Sequence, residues 1–548
     1  MRNFLILISF LFLFSSGQAF AKSEFNKESE ELFTLLKEKK FDLLDERMNV
    51  LMKSNKLTIG GKDYFTDIIN YSLNGFSPME RDQRLLLVSD WIKAKPESVP
   101  ALLTRGRLYV DYAWEARTSR IGKHVTDENQ ELFHERLDKA VDDYRKASTL
   151  GEHPFMYEGL MWAYIGKRGE IDFPMAQQKY MINGLYKNFD NLFNRAIELD
   201  PNYYWAYRAK QNFLFSKWYG SDEETLKYLE YLRGLNVNPV VKTLIADVYI
   251  EFARLSKDQK EYLSRPEIWK EITEVYQAVI KQFPKTASAR YSYAVAAIKV
   301  GKKDIALKYL NEIIALDPET YEAYMELAEI YLSDKDYKKA EEMAKKMLEL
   351  KSNFSGPYVY MGRIKSELKL FEESINYYDT AVKISPTISY IWRNRCKVLI
   401  ELNRLDDALN SCNKSIELDP AEKWAYEYRA EIYKLQNKTA EAQKDITAGA
   451  LLGSDNDPRG AETQYNAGYQ LTQSGDLKGA KAYFGKAVEL DPDEARYWYA
   501  YCATYQRLGE LTDNMLKQCD KEIERVMKLE RNAPFAATWA KDKAMRPQ

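Results

Sequence analysis

ALKYLNEIIALDP at 306–318 and ALNSCNKSIELDP at 408–420 each carry a helical apolar pattern up to the phrase LDP, and there the pattern stops. A proline just past a helix end blocks further helix, because it lacks the N–H and its ring collides with the preceding turn. Another proline falls between them, so that Pro318, Pro386 and Pro420 follow one another at spacings of 68 and 34. A fixed period of 34 marks a helix–turn–helix unit that cannot bury its apolar face alone and stacks on copies of itself. The stretch reads as an all-α array growing in one dimension.

Counting Pro318 as position 32 puts Ala294 at position 8, Ala306 at 20 and Leu310 at 24. Equivalent places in the next unit hold Leu327, Ala328, Tyr331 and Ala340, with Ser352 where the proline would be. Then come Met361, Gly362, Tyr378, Ala381 and Pro386, followed by Trp392, Cys396, Ala408 and Pro420, and by Tyr426, Ala430, Tyr433 and Ala442. Pro492 lies past Pro420 by two periods plus four. The extra residues fall in LLGSDNDPRG at 451–460, where Gly, Asn, Asp and Pro break helices. Beyond the slip, Ala467, Gly468, Ala480, Phe484, Ala487 and Pro492 resume the pattern.

Small residues where two helices approach, large ones between them and a closing proline at this period resemble tetratricopeptide repeats. The resemblance covers about 285–530, with clear repeats at 287–320, 321–354, 355–388, 389–422, 423–456 and 461–494 and a degenerate one at 495–530. It implies a right-handed superhelical solenoid of antiparallel helix pairs.

Upstream the logic persists with insertions. AIELDPNYYWAY at 196–207 reads as one repeat end running into the next helix, and KAVDDYRKASTL at 139–150 as the second helix of an earlier unit. The stretches Thr118–Glu131 and Lys167–Met181 have no place in a plain array. YVDYAWEAR at 109–117, ELFHERLDKA at 131–140 and FLFSKWYGS at 213–221 together resemble an uncharacterised bacterial domain family often found with tetratricopeptide repeats; the likeness runs over about 30–230. It carries no functional residue across. The expected organisation is a signal peptide (1–21), a divergent helical domain (22–240) and a repeat array (241–548).

Arg2, an apolar run from Phe4 to Phe14 and the triplet Ala19-Phe20-Ala21 form a secretory signal with an A-x-A cleavage site, placing the mature start at Lys22. The run is shorter than the ~20 apolar residues a membrane span needs, and no transmembrane segment is expected in the mature chain. The expected location is the periplasm or the exterior. Charged residues make up 30% yet balance to a net charge of -2, as in KKAEEMAKKMLEL, which reads as a solvated helix face laced with i,i+4 pairs. No basic stripe is present, so no nucleic-acid partner is expected.

Cys412 follows Cys396 at i+16, and Cys519 follows Cys502 at i+17. In each pair the first sits on the first helix of a repeat and the second faces it from the second helix, where Cα atoms come near the ~5.5 Å a disulfide prefers. Two intra-repeat bridges are expected; the alternative is that cysteine fills small apolar positions.

No GxSxG, P-loop or GxGxxG appears, and neither an enzyme nor a cofactor is expected. His124, His134 and His153 are the only histidines. HERLD at 134–138 is half a zincin motif with Asp138 where the second His belongs, so a metal-dependent hydrolase around His124 and His134 is the weakest alternative. Around Trp114, Asp111 and Glu115 share a helix face, which is costly unless Arg107 or Arg117 sits between them; the reading is an ion network that braces the insertion, with a ligand-facing acidic pair as the alternative.

In tetratricopeptide arrays the concave surface is lined by the first helix of each repeat at positions 2, 5, 9, 12 and 13. Here these are Tyr291, Met325 and Leu332, then Arg363, then Tyr390, Arg393 and Lys397, then Trp424, Glu427 and Glu431, and finally Tyr465, Tyr469, Arg496 and Tyr499. The face reads as a basic step, an acidic step and an aromatic end, and Tyr, Trp and Arg dominate binding energy at interfaces. The Lys and Asn pattern of carboxylate-clamp repeats is missing: Arg393, Asn394 and Lys397 stand at positions 5, 6 and 9, and Trp424 at position 2 of the next unit. The chain reads as a scaffold for a protein or extended peptide, with a cell-envelope glycan as the alternative ligand, since sugar faces also stack on Tyr and Trp.

Overall fold

The computed structural model describes residues 24–73, 81–116, 127–167, 185–215, 220–256, 258–420, 422–451, 460–492, 494–510 and 512–526. The expected signal sequence, Arg117, His124 and most of the two insertions lie outside them. The described residues fall into two compact units that divide between Ala323 and Tyr324.

The first unit holds α1 (Glu24–Lys37), α2 (Phe41–Lys53), α3 (Tyr64–Ile68), which runs on as a π-helical turn (Ile69–Leu73), α4 (Arg81–Ala94), α5 (Val99–Ala116), α6 (Asp127–Leu150), α7 (Pro154–Gly166) and α8 (Leu185–Leu199). It continues with α9 (Tyr204–Leu214), α10 (Asp222–Gly234), α11 (Pro239–Leu255), α12 (Gln259–Ser264), α13 (Pro266–Gln282), α14 (Ala287–Val300) and α15 (Lys303–Leu316). Helices α9 and α10 both pack on α11, whose start coincides with residue 240, the expected end of the N-terminal domain. That position is merely the first turn of α11, started by Asn238, whose side chain accepts from Val240 N.

The second unit follows α16 (Tyr321–Ser333), which begins just before the division, with α17 (Tyr337–Leu350), α18 (Ser355–Glu367), α19 (Phe371–Ile384), α20 (Ser389–Glu401) and α21 (Leu405–Leu418). Next come α22 (Lys423–Leu435), α23 (Thr439–Leu451), α24 (Gly460–Ser474), α25 (Leu477–Leu490), α26 (Ala495–Leu508) and α27 (Asp513–Val526). From α17 onward each helix packs on the next, and α20 also touches α18 and α22. This is an all-α solenoid of helix pairs.

The period is written most plainly in the backbone. The turn inside each pair has a residue with positive φ, at Gly301, Lys335, Lys369, Asn403, Asn437, Gly475 and Gly509, so the spacing is 34 except for one step of 38. Each ends the first helix by the Schellman pattern: Asp336 N donates to Tyr331 O at 2.9 Å, Leu370 N to Lys365 O at 2.8 Å and Arg404 N to Leu399 O at 2.9 Å. Four of these left-handed sites are Lys or Asn, which explains why the prolines announce the period and the turns do not.

A second device ties three of the repeats to the ones before them. An aromatic one turn into the first helix donates back to a carbonyl six residues earlier: Trp392 Nε1 to Pro386 O (2.8 Å), Trp498 Nε1 to Pro492 O (2.8 Å) and Tyr358 OH to Ser352 O (3.0 Å). Tyr207 OH to Pro201 O (2.9 Å) repeats the clasp in the first unit, so AIELDPNYYWAY closes as a repeat junction there too. Within a pair, Gly362 abuts the ring of Tyr378 and Gly468 that of Phe484, with both rings buried.

Candidate functional site

Thirteen of the fourteen surface candidates lie on the first helices of the second unit; Tyr291 is on α14 in the first unit. Two ion pairs define their common face. Arg363 on α18 forks onto Glu329 on α16, one period earlier, at 2.7 and 3.1 Å. Arg496 on α26 reaches Glu462 on α24, also one period earlier, at 3.2 Å, and Glu494 at 2.9 Å. Side chains at one repeat position on successive first helices therefore meet on a shared surface.

These pairs correct the basic step expected from the sequence. Arg363 is neutralised by Glu329, and Arg393 Nη1 bonds both oxygens of Glu422 at 3.1 and 3.2 Å. The reason is registry: a carboxylate stands one period earlier, or at the helix start that follows. The signal was present in the sequence as Glu329 and Glu462, each a full period before its arginine.

Several aromatic candidates act as wedges between repeats. Tyr465 packs against Phe484 and Tyr497 with ring centroids at 5.6 and 5.1 Å, and Arg496 sits 5.5 Å above its ring. Tyr390 is half-buried against the core around Ile391 and Cys396, beside Tyr428, which the position count passed over. Burial pushes the Tyr390 phenol up to about 12, while Arg393 and Arg363 pull it down. Leu332 packs on Ala340, Ala344, Met361 and Ile364, and Met325 and Tyr499 are half-buried.

What stays open is a shorter list. Trp424 is 45% exposed and Tyr469 49%, and Lys397 and Glu431 are exposed beside them. Glu427 is half-buried and accepts Lys423 at 3.4 Å, whose ammonium also lies 5.6 Å from the Trp424 ring.

Cys396 on α20 and Cys412 on α21 have Cα atoms 5.4 Å apart; for Cys502 on α26 and Cys519 on α27 the separation is 6.2 Å. Both lie within the range of about 4.4–6.8 Å that a disulfide spans. His134 is exposed on α6 in an open depression with Gln130, Glu131, Glu135 and Asp138, and Lys167 pairs with Asp138. Among the described residues no group of three or more His, Cys, Asp or Glu side chains is placed to hold a metal. The third histidine, His153, caps α7 by accepting from Phe155 N, and burial lowers its affinity for a proton to a pKa of about 4.

The Asp111 group is structural. Arg107 on α5 bonds Asp111 at 3.1 Å and both oxygens of Glu158 on α7 at 2.9 and 3.1 Å, with Arg107 and Glu158 buried. Burial pushes the Glu158 carboxyl up and Arg107 pulls it down. Glu115 instead pairs with Arg81.

A second buried polar group was not legible in sequence. The turn between Leu57 and Asp63, with Gly61 at φ 79°, lays Lys62 over the rings of Tyr204 (4.5 Å) and Trp205 (4.7 Å) on α9. Asn238 Nδ2 donates to Gly61 O at 3.1 Å, and Arg208 binds Asp247 at 3.1 Å and the Tyr204 hydroxyl at 2.9 Å. Asp67 is 7% exposed, and burial, with Asp63 adding to it and Lys62 opposing, pushes its carboxyl up to about 7. These contacts fasten the N-terminal turn to α9 and α11, far along the chain, which no local pattern reveals.

Comparison with known families follows this geometry. Tetratricopeptide-repeat models match residues 294–353, 357–388 and 461–494. The chain carries tetratricopeptide repeats. Residues 29–172 match a "Domain of unknown function (DUF4034)", so this repeat protein opens with an uncharacterised domain. Among curated proteins, mouse (Mus musculus) sperm-associated antigen 1 is 38% identical over 87 residues, 16% of this chain and 10% of that protein. Chicken (Gallus gallus) DnaJ homolog subfamily C member 3 is 25% identical over 204 residues, 34% of this chain and 40% of that protein. The repeat protein thus spans well under two thirds of these relatives. Among solved structures, yeast Tom70 aligns with 86% of this chain and 98% of its own at 14% identity and a TM-score of 0.34. YrrB, described as "a TPR protein with an unusual peptide-binding site", aligns with 35% of this chain and 96% of its own at 20% identity and a TM-score of 0.24.

Proposed function

We propose that the chain is an exported, non-catalytic scaffold that docks a protein or extended peptide segment on the shared face of α18, α20, α22 and α24. The observation that carries this reading is the pair Trp424 and Tyr469, each nearly half exposed on that face. A rigid aromatic left in water is the kind of side chain that gains most from burial under a partner. The neighbouring arginines are already paired, so the aromatics are the strongest unmet contacts there. The yeast and YrrB likenesses concern the fold only, and the glycan alternative gains no support from the comparisons.

Export is supported by the n-region, apolar run and A-x-A triplet of residues 1–21. The two cysteine pairs fit an oxidising compartment, and both are proposed to be oxidised. The test is a crosslinking pull-down with the mature chain, carried out beside Trp424→Ala/Tyr469→Ala. Loss of the partners that the unaltered chain captures supports the reading; an unchanged set of partners rejects it.

A further inference from the structure

The first unit already carries a segment of chain laid across its helices, and that segment is its own. After α2, Leu57 bridges Asp63 around a turn, and the chain runs on through α3 into the π-helical turn, a strap of residues 57–71. Gly60 lies close to Thr286, the cap of α14. Gly61 O accepts from Asn238, the cap of α11, at 3.1 Å. Lys62 lies over Tyr204 and Trp205 in the first turn of α9, and the Phe65 ring meets that of His153, the cap of α7, at 4.9 Å. Of these helices, α7 packs on α9 and α9 on α11. Successive strap residues thus cross a row of helix starts in reverse chain order, as an extended peptide would cross a row of repeats.

The strap brings its own backbone hydrogen bonds. Thr58 N donates to Lys62 O and Gly61 N to Thr58 O, both at 2.8 Å, Tyr64 N donates to Lys56 O at 3.0 Å, and Thr66 N to the Asp63 carboxylate at 2.7 Å. Side chains do most of the fastening to the helices: the Lys62 ammonium, the Phe65 ring and a 2.9 Å hydrogen bond between the hydroxyls of Thr66 and Tyr203. A turn of this kind can leave its seat with its backbone still paired. The seat is also imperfectly satisfied, because Asp67 Oδ1 and Asn70 Oδ1 on the strap and Trp205 Nε1 on α9 are buried with no hydrogen-bond partner. Settled interiors leave few such atoms. At Lys62 the rings select the side chain: Asp247 also faces the ammonium, but Arg208 already holds that carboxylate at 3.1 Å, and Asp67 travels with the strap.

We propose that the starts of α7, α9, α11 and α14 form a peptide-docking surface that residues 57–71 cover in the resting chain. A partner segment with a lysine or arginine and an aromatic residue three positions on, the spacing of Lys62 and Phe65, displaces them. This is a second docking surface, independent of the one on the second unit. While the strap is seated, the apparent affinity for a partner is reduced to the fraction of chains in which it is open.

Hydrogen exchange by mass spectrometry on the full chain is the first test. The amides of residues 58–68 are expected to open together, about tenfold or more faster than those of α9 and α11. Equal rates make the strap part of the core and overturn the proposal. The second test titrates a labelled peptide of residues 56–71 by anisotropy against the full chain and against Lys62→Ala/Phe65→Ala, which weakens the strap at two of its anchors. The peptide is expected to bind the variant about tenfold or more tightly than the native chain and to restore any protection lost in α9 and α11. A peptide with both anchors changed to alanine is expected to bind neither protein. Equal affinity for the two proteins, no binding to either, or lost protection that the peptide does not restore overturns the displaceable strap; equal binding of the two peptides overturns the lysine and aromatic reading.

Discussion

Replacing Gly362 by alanine separates two opposing effects whose sizes can be worked from the structure. Gly362 lies inside α18, where alanine normally stabilises a helix by up to about 1 kcal/mol over glycine. A Cβ here, however, would sit 2.9 Å from two ring atoms of Tyr378 and 3.1 Å from a third. Tyr378 is 1% exposed, so its ring cannot swing away. Overpacking of this kind costs about 1–3 kcal/mol and outweighs the propensity gain, for a net loss of about 1–2 kcal/mol. Gly449 on α23 is the control, because its Cβ would meet nothing nearer than 3.6 Å; there alanine is expected to add up to about 1 kcal/mol. A solenoid does not unfold as one unit, so the assay is hydrogen exchange by mass spectrometry, reading local opening in α18–α19 and in α22–α23. In Gly362→Ala the amides of α18 and α19 should exchange faster by a factor of about 5–30, while Gly449→Ala should slow exchange in α23. Unchanged or slower exchange in Gly362→Ala would refute the reasoning that small residues at this position are dictated by the ring opposite.

Asp67 should make stability pH-dependent. Its folded pKa is raised, so the folded state holds the proton more tightly than the unfolded chain, and stability falls as pH rises from about 4 to about 7. The groups that face it, Lys62, Asp63, Thr58 and Trp205, remain when Asp67→Asn removes the charge; the variant should gain about 2–4 kcal/mol of local stability relative to the native chain between pH 4.5 and pH 8, read by hydrogen exchange in α3 and α9, and a pH-independent difference would exclude the burial argument. The chain purified from an oxidising compartment should show no free thiol when unfolded, and reducing Cys396–Cys412 should cost about 3 kcal/mol by the loop-closure model, measured as faster exchange in α20 and α21. Four titratable thiols would favour the packing alternative for cysteine.

The sequence exposed the architecture because the period is carried by residues with strong steric meaning: prolines that end helices, and glycine or alanine opposite large rings. The slip of four before α24 was visible for the same reason. Left-handed turn residues were not, because Lys335, Lys369, Asn403 and Asn437 adopt positive φ without the glycine that would have announced it. On the candidate face the position count put the right residue types together but could not tell used from unused side chains. Arg363, Arg393 and Arg496 are bound to carboxylates, Tyr390 and Tyr465 fill gaps between helices, and Trp424 and Tyr469 remain exposed; that division depends on contacts across helices. The Lys62 turn was illegible because its partners Tyr204, Trp205 and Asn238 lie far along the chain.

The most direct measurement is the affinity of the partner segment recovered by crosslinking for the mature chain and for Trp424→Ala/Tyr469→Ala, read by anisotropy under identical salt. Removing two aromatic anchors of at least about 1 kcal/mol each should weaken binding by about tenfold or more, with the circular dichroism of the helices unchanged. Equal affinity for the two proteins, with both folded, would contradict the assignment of this face as the docking surface.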